Sequence, residues 1–311
     1  MAEFVFGVDV GGTTIKMGLF DTNGQVLDKW EIPTRTENGG ENVLPDIAKA
    51  VADKCVEKSI AKEAVAGIGI GVPGPVDSKG IVHRCVNLGW DVFNVNETLS
   101  GMTGMKVKAG NDANVAALGE MWQGGGKGFD SLVMVTLGTG VGGGIINDGQ
   151  ILTGSSGAGG EIGHIHVQDG EPEACGCGNH GCLEQYASAT GVVRLANREL
   201  AKNSDPTVLK AGECSAKDVW DAVKAGDQVA IRVAEQFGKY LGEGLAAIAG
   251  VVNPQAFVIG GGVSKAGDVL LSYIEKNYKP VVFHGSRDAK FVLATLGNDA
   301  GIFGAAKLVL D

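Results

Sequence analysis

The chain has 311 residues, 44% apolar and 20% charged, which is enough for two domains with buried cores. Its formal net charge of −10 argues against nucleic acid or an anionic membrane as the main partner, because both require a basic face. The opening MAEFVFGVDV has no basic leader and no cleavage-like site, and no apolar run approaches membrane-spanning length, so a cytoplasmic protein is expected. Glycine is over-represented at 51 residues, more than twice average usage, in short runs between apolar segments. Such runs predict tight turns where backbone approaches a ligand.

The first element in chain order is a hairpin, Phe4 to Leu27, in which two β-rich apolar runs flank Asp9-Val-Gly11-Gly12-Thr13-Thr14-Ile-Lys16. Glycines there let the backbone curl around phosphate oxygens, with the two threonine hydroxyls and Lys16 as further donors. Asp9, at the strand end, suits Mg²⁺, which favours carboxylates, waters and substrate phosphates. A helix is expected over Glu41 to Ser59 and a strand over Val65 to Val72. Next comes Gly110-Asn111-Asp112-Ala-Asn114, leading into an apolar-periodic helix from Asp112 to Trp122. An aspartate at a helix head is either a cap or, beside a phosphate site, a general base for a hydroxyl.

Ser131 to Leu152 repeats the first hairpin about 127 residues downstream, a domain-sized separation. Its turn, Gly138-Thr139-Gly140-Val-Gly-Gly143, matches the dinucleotide fingerprint G-x-G-x-x-G. That fingerprint opens a helix, whereas a β run and a turn, Gly144-Ile-Ile-Asn-Asp-Gly149, follow here. A second phosphate turn is the better reading. Further along, Cys175, Cys177 and Cys182 lie within eight residues, preceded by His164; thiolates and imidazole are the usual zinc set. His166 and His180 compete for the fourth position, and His164 is preferred because it pairs with Glu161 three residues before it. Four protein ligands make the site structural.

Long helices are expected over Leu183 to Lys202 and Gln228 to Gly250. A strand from Phe257 runs into the turn Gly260-Gly261-Gly262, suited to a planar base, with a helix near Ala266 to Lys276 and a last one from Ile302 to Leu310. Two similar α/β domains are thus expected: residues 1–112, with 301–311 packing back on them, and residues 113–300 carrying the metal loop.

Gly159-Gly-Glu-Ile-Gly-His164 and Cys175-Gly-Cys-Gly-Asn-His-Gly-Cys-Leu-Glu184, with Asp9-Val-Gly-Gly-Thr13 and Asn111-Asp112 in order before them, resemble the ROK family of repressors, open reading frames and sugar kinases. Within it the chain is most similar to the bacterial glucokinases, over essentially its whole length. The resemblance implies an actin-like (ribonuclease H-like) duplicated α/β fold with two domains flanking a cleft. It also implies ATP-dependent phosphorylation of glucose at its 6-hydroxyl. Asp112 then resembles the catalytic base, and Gly74, Asn111, Glu161, His164 and Glu184 match sugar-holding positions. His164, Cys175, Cys177 and Cys182 match zinc ligands, so His164 serves two tasks. The Asp9–Thr14 and Gly138–Gly140 turns match phosphate loops and Gly260–Gly262 part of an adenosine site. A homodimer is implied as well. Only eight residues precede Asp9, so a repressor with a leading DNA-binding segment is not expected. Rival readings are a kinase for fructose, mannose or N-acetylmannosamine, and a sugar-binding regulator without turnover.

Overall fold

The computed structural model describes residues 2–202 and 204–311, which fall into two compact units. The first comprises the chain up to Gly128 with Gly144–Gly160 and Leu296–Asp311; the second comprises Phe129–Gly143 and Glu161–Thr295.

In chain order the first unit opens with strands β1 (Phe4–Val10), β2 (Thr14–Asp21) and β3 (Val26–Pro33) and a short turn of helix α1 (Glu37–Gly40). Helix α2 (Val43–Glu57), β4 (Val65–Val72) and a two-stranded ribbon of β5 (Ile81–Val82) and β6 (Phe93–Asn94) follow. Helix α3 (Val95–Thr103), β7 (Val107–Asn111) and helix α4 (Asp112–Gln123) complete this stretch. The sheet order is β3-β2-β1-β4-β7, antiparallel across the two hairpin pairings and parallel from β1 through β4 to β7. Alternation along β1 sends Phe6 and Val8 to one core, with Ile47 and Val51 of α2, and Val5 to another, with Ile302, Phe303 and Ala306 near the chain end. Both faces are therefore covered, which is why β1 and β4 read as nearly continuous apolar runs.

The remaining strands are β8 (Leu132–Leu137), β9 (Val141–Asn147), β10 (Gln150–Ile151), β11 (Ala256–Gly260) and β12 (Lys290–Leu293), ordered β10-β9-β8-β11-β12. That order has the same pattern as the first sheet, so the duplication seen in the hairpins extends to whole sheets. Helices α5 (Glu184–Ala187), α6 (Ala189–Lys202), α7 (Ala216–Lys224), α8 (Gln228–Val252) and α9 (Asp268–Tyr278) belong to the second unit, and α10 (Ala300–Leu310) to the first.

Two sequence expectations change. Leu183 to Lys202 is not one helix: Ser188 is extended at ψ 176° and splits it into α5 and α6. The Ser188 hydroxyl accepts from the Gly191 N–H at 2.9 Å, an N-cap in the middle of an apolar-periodic stretch. Nor are the glycines all ligand turns. A Cβ at Gly7 or Gly69 would run into the backbone carbonyls of Ile302 or Ala305, and one at Gly119 or Gly304 into those of Ala300 or Val115. These four let α10 lie directly against β1, β4 and α4, closer than any side chain would permit.

Candidate active site

In the first unit, β1 delivers Asp9 opposite Lys16 of β2 and then turns through Gly11–Thr14. The Gly11 N–H donates to the Thr14 carbonyl at 3.0 Å, while Thr34 clamps the outside, its hydroxyl on the Gly11 carbonyl at 2.7 Å. Gly11, Gly12, Thr13 and Thr14 are all exposed. A Cβ at Gly12 would meet no atom within 4 Å among the described residues, and its φ is not left-handed. Nothing in the fold itself requires glycine there. Lys16 donates to the Asn298 carbonyl at 2.9 Å.

The Asp9 carboxyl is pushed up from 3.8 to about 6, chiefly by burial and then by the negative charge of Asp112, with Lys16 opposing. Gly301 makes room for it: a Cβ there would come within 2.5 Å of the Asp9 carboxylate. A buried carboxyl beside a second carboxylate is a setting that a divalent cation relieves, so Asp9 fits the Mg²⁺ role.

At the head of α4 the capping is done by the residue before Asp112. Asn111 is the N-cap of α4, its Oδ1 accepting from the Asn114 N–H at 3.1 Å. The Asn111 amide donates to the Gly74 carbonyl at 3.1 Å and to Asp112 Oδ1 at 3.0 Å; Oδ1 also accepts from the Ala113 N–H at 2.8 Å. Gly74 sits at φ 92°, where a Cβ would also press on the Arg84 carbonyl, so the loop over Asn111 depends on glycine. The structure thus brings Gly74, Asn111, Asp112 and Asp9 together within one unit.

In the second unit the Gly138–Gly140 turn closes with Gly138 N–H on the Gly140 carbonyl at 3.0 Å. It is anchored by the α5–α6 break: the Ala189 N–H holds the Gly138 carbonyl at 2.8 Å and the Thr190 hydroxyl holds that of Thr139 at 2.7 Å. Gly140 faces Glu184, whose carboxylate oxygen would lie 2.5 Å from a Cβ there and would have to swing aside. The Gly260–Gly262 turn meets the same strand end: Gly261, at φ 83°, leaves no room for a Cβ beside the Leu137 backbone. A Cβ at Gly138 or Gly262, as at Gly12, would meet nothing within 4 Å among the described residues.

The cysteine loop folds back because Gly178 and Gly181 take φ of 90° and 76°. His164, Cys175, Cys177 and Cys182 each point one donor atom inward, all within 4.8 Å of one another. Cys177 and Cys182 sulfurs are 3.7 Å apart, as are Cys175 Sγ and His164 Nδ1. A tetrahedron with zinc–sulfur bonds of about 2.3 Å has edges of about 3.8 Å, so the donor set fits zinc. Burial pushes Cys175 up to about 12 and raises Cys182, whereas the Asn179 N–H lowers the exposed Cys177. The rival histidines are engaged elsewhere: His166 with Asp169 at 2.8 Å and the His180 carbonyl at 2.9 Å, His180 with the Glu171 carbonyl at 2.9 Å. His164 therefore gives Nδ1 to the cysteines and turns Nε2 toward Glu161, 4.0 Å away, while Glu184 Oε1 lies 3.8 Å from Nδ1.

Sequence reasoning missed Thr34, Ser188 and Thr190, which hold the two glycine turns from outside. Ser188-Ala-Thr190-Gly191 carried a capping signal, but it lay inside a periodic apolar stretch and was overridden by it.

Fold and site together define an actin-like α/β protein with paired glycine turns and a Cys₃His loop. The chain belongs to the ROK family, whose model matches residues 5–311. It is 44% identical to a glucokinase of Halalkalibacterium halodurans, the match covering 97% of this chain and 94% of that one. Among solved structures it is similar to a ROK family glucokinase from Streptomyces griseus in complex with glucose and AMPPNP (TM-score 0.72, 34% identity, 98% of each chain). A ROK hexokinase from Thermus thermophilus matches at TM-score 0.78 and 34% identity over 98% of this chain and 97% of that one. Among the described residues no helix is long and apolar enough to cross a membrane.

Proposed function

We propose that this protein is an ATP-dependent sugar kinase that phosphorylates glucose at its 6-hydroxyl. The observation that carries this reading is the division of labour at the head of α4. Asn111 performs the capping, and its amide donates to the Asp112 carboxylate and so orients it. Asp112 accepts the hydroxyl proton while the sugar oxygen attacks the γ-phosphate of ATP. Gly74, Asn111, Glu161, His164 and Glu184 match the positions that serve the sugar hydroxyls in the family. Asp9, Gly11, Gly12, Thr13, Thr14 and Lys16, with Gly138, Thr139, Gly140 and Gly260–Gly262, serve the nucleotide. The open space at Gly12, Gly138 and Gly262 supports that assignment, since those glycines answer to no neighbour in the fold.

Mg²⁺ bound near Asp9 would neutralise phosphate charge. Zinc held by His164, Cys175, Cys177 and Cys182 would have a structural part, fixing the tautomer and aim of an imidazole whose other nitrogen faces the sugar. Relatives at 37–44% identity carry the glucokinase name, whereas an N-acetylmannosamine kinase matches at 31%, which favours glucose. A cytoplasmic homodimer completes the reading. The test is a coupled ADP-release assay with ATP·Mg²⁺ against a panel of hexoses, with glucose expected to give the highest kcat/KM. Turnover confined to another hexose would change the substrate, and sugar binding without turnover would leave a regulator.

A further inference from the structure

Behind the cysteine loop lies an ion pair that touches neither the metal donors nor the sugar residues. Glu171 is 6% exposed and sits four residues before Cys175. Arg198 of α6 grips its carboxylate with two N–H groups, at 2.8 and 3.0 Å, and the Tyr186 hydroxyl donates to the same carboxylate. The Glu173 N–H adds a fourth bond at 3.2 Å. The Glu171 carbonyl accepts from His180 Nδ1 at 2.9 Å, reaching the far side of the loop between Cys177 and Cys182. Tyr186 lies two residues beyond Glu184 in α5 and stacks on Tyr240 of α8, with centroids 4.1 Å apart. A single buried side chain and its own carbonyl thus tie together both limbs of the cysteine loop, the helix that starts with Glu184, and two long helices of the unit.

We propose that Glu171 is a positioning residue that keeps the His164–Cys175–Cys177–Cys182 donor set and the Glu184 carboxylate in one frame. The proposal rests on the reading of those residues as zinc and sugar ligands. Four hydrogen bonds converge on a carboxylate that could have been a simple apolar contact, and bidentate pairing with arginine fixes orientation as well as distance. Residues that orient metal ligands from behind are commonly worth about 10- to 100-fold in metal affinity or activity.

The test compares Glu171→Gln with Arg232→Gln in the purified full-length protein. Arg232→Gln breaks a different ion pair, the one that joins Arg232 of α8 to the buried Glu199 of α6 at 2.5 Å. Zinc affinity is read by competition with a chromophoric chelator, and glucose KM and kcat are read on zinc-loaded protein. Glu171→Gln is expected to lower zinc affinity and raise the glucose KM by about 10-fold each, with kcat changed less than about 3-fold. Arg232→Gln should lower the melting temperature alone. Unchanged zinc affinity and KM in Glu171→Gln, or the same changes in both variants, overturns the proposal. If Glu171→Gln does not fold, Tyr186→Phe, which keeps the ion pair and removes only one hydroxyl, must shift both quantities in the same directions or the idea fails. Wild-type protein that takes up no zinc and turns over no sugar removes the underlying reading, and the proposal with it.

Discussion

Asn111 caps helix α4 and with the same side chain donates to the Asp112 carboxylate at 3.0 Å. One residue thereby sets both the start of the helix and the orientation of the acid next to it. Asp112→Asn should therefore fold normally and melt within about 0.5 kcal/mol of wild type, since the cap stays. Its turnover should drop by about 10²- to 10⁴-fold with sugar binding retained. Near-normal turnover in the coupled assay would strip Asp112 of the base role.

Changing Asn111 separates the two duties. Asn111→Ala should cost about 1 kcal/mol for the lost cap, with further loss because the Gly74 carbonyl is left without its donor. Asn111→Asp keeps an oxygen to cap the helix but removes the N–H that reaches Asp112 and Gly74. It should stay closer to wild type in thermal melting than Asn111→Ala, while its kcat still falls. Equal turnover in Asn111→Asp and wild type would show that the amide is only a cap.

The glycines divide into two kinds, and alanine distinguishes them. Gly69→Ala drives a methyl into the Ala305 carbonyl of α10 and should destabilise the first unit by at least about 3 kcal/mol, visible as poor soluble yield or a large fall in Tm. Gly12→Ala places its methyl in open space and should leave Tm almost unchanged while raising the KM for ATP. A Gly12→Ala protein with normal ATP kinetics would argue against the Gly11–Thr14 turn as a phosphate loop.

Asp9 supplies a pH dependence. Its carboxyl, ordinarily near 3.8, is pushed up to about 6, first by burial and then by Asp112. A folded value above the unfolded one means that ionising Asp9 costs more in the folded chain. That cost is absent below about pH 4, grows between the two values and is complete above about pH 6. Ligand-free Asp9→Asn should thus melt above wild type at pH 8, with the gap narrowing by pH 5, even though its turnover with ATP·Mg²⁺ is impaired. A gap that is constant from pH 5 to pH 8 would mean that the strain at Asp9 is steric and not electrostatic.

The sequence by itself determined the local pieces. Apolar periodicity located β4 over Val65–Val72 to the residue and α4 to within one, because short-range pattern and backbone geometry share a period. The repeated hairpins showed the duplication, since glycine turns between β runs are encoded within a few residues. Cysteine spacing pointed to a metal-binding loop, but three histidines competed for its fourth corner. Only tertiary structure chose His164, by engaging His166 with Asp169 and His180 with the Glu171 carbonyl. It also split the stretch after Leu183 at Ser188, because the hydrogen bonds that hold Gly138 and Thr139 come from a segment about 50 residues away. Likewise no local signal distinguishes Gly69 from Gly12. The first is glycine because α10, more than 200 residues later, lies against it, whereas a Cβ at the second would meet nothing within 4 Å among the described residues. Contacts between distant parts of the chain decide such roles, and a linear pattern carries no record of them.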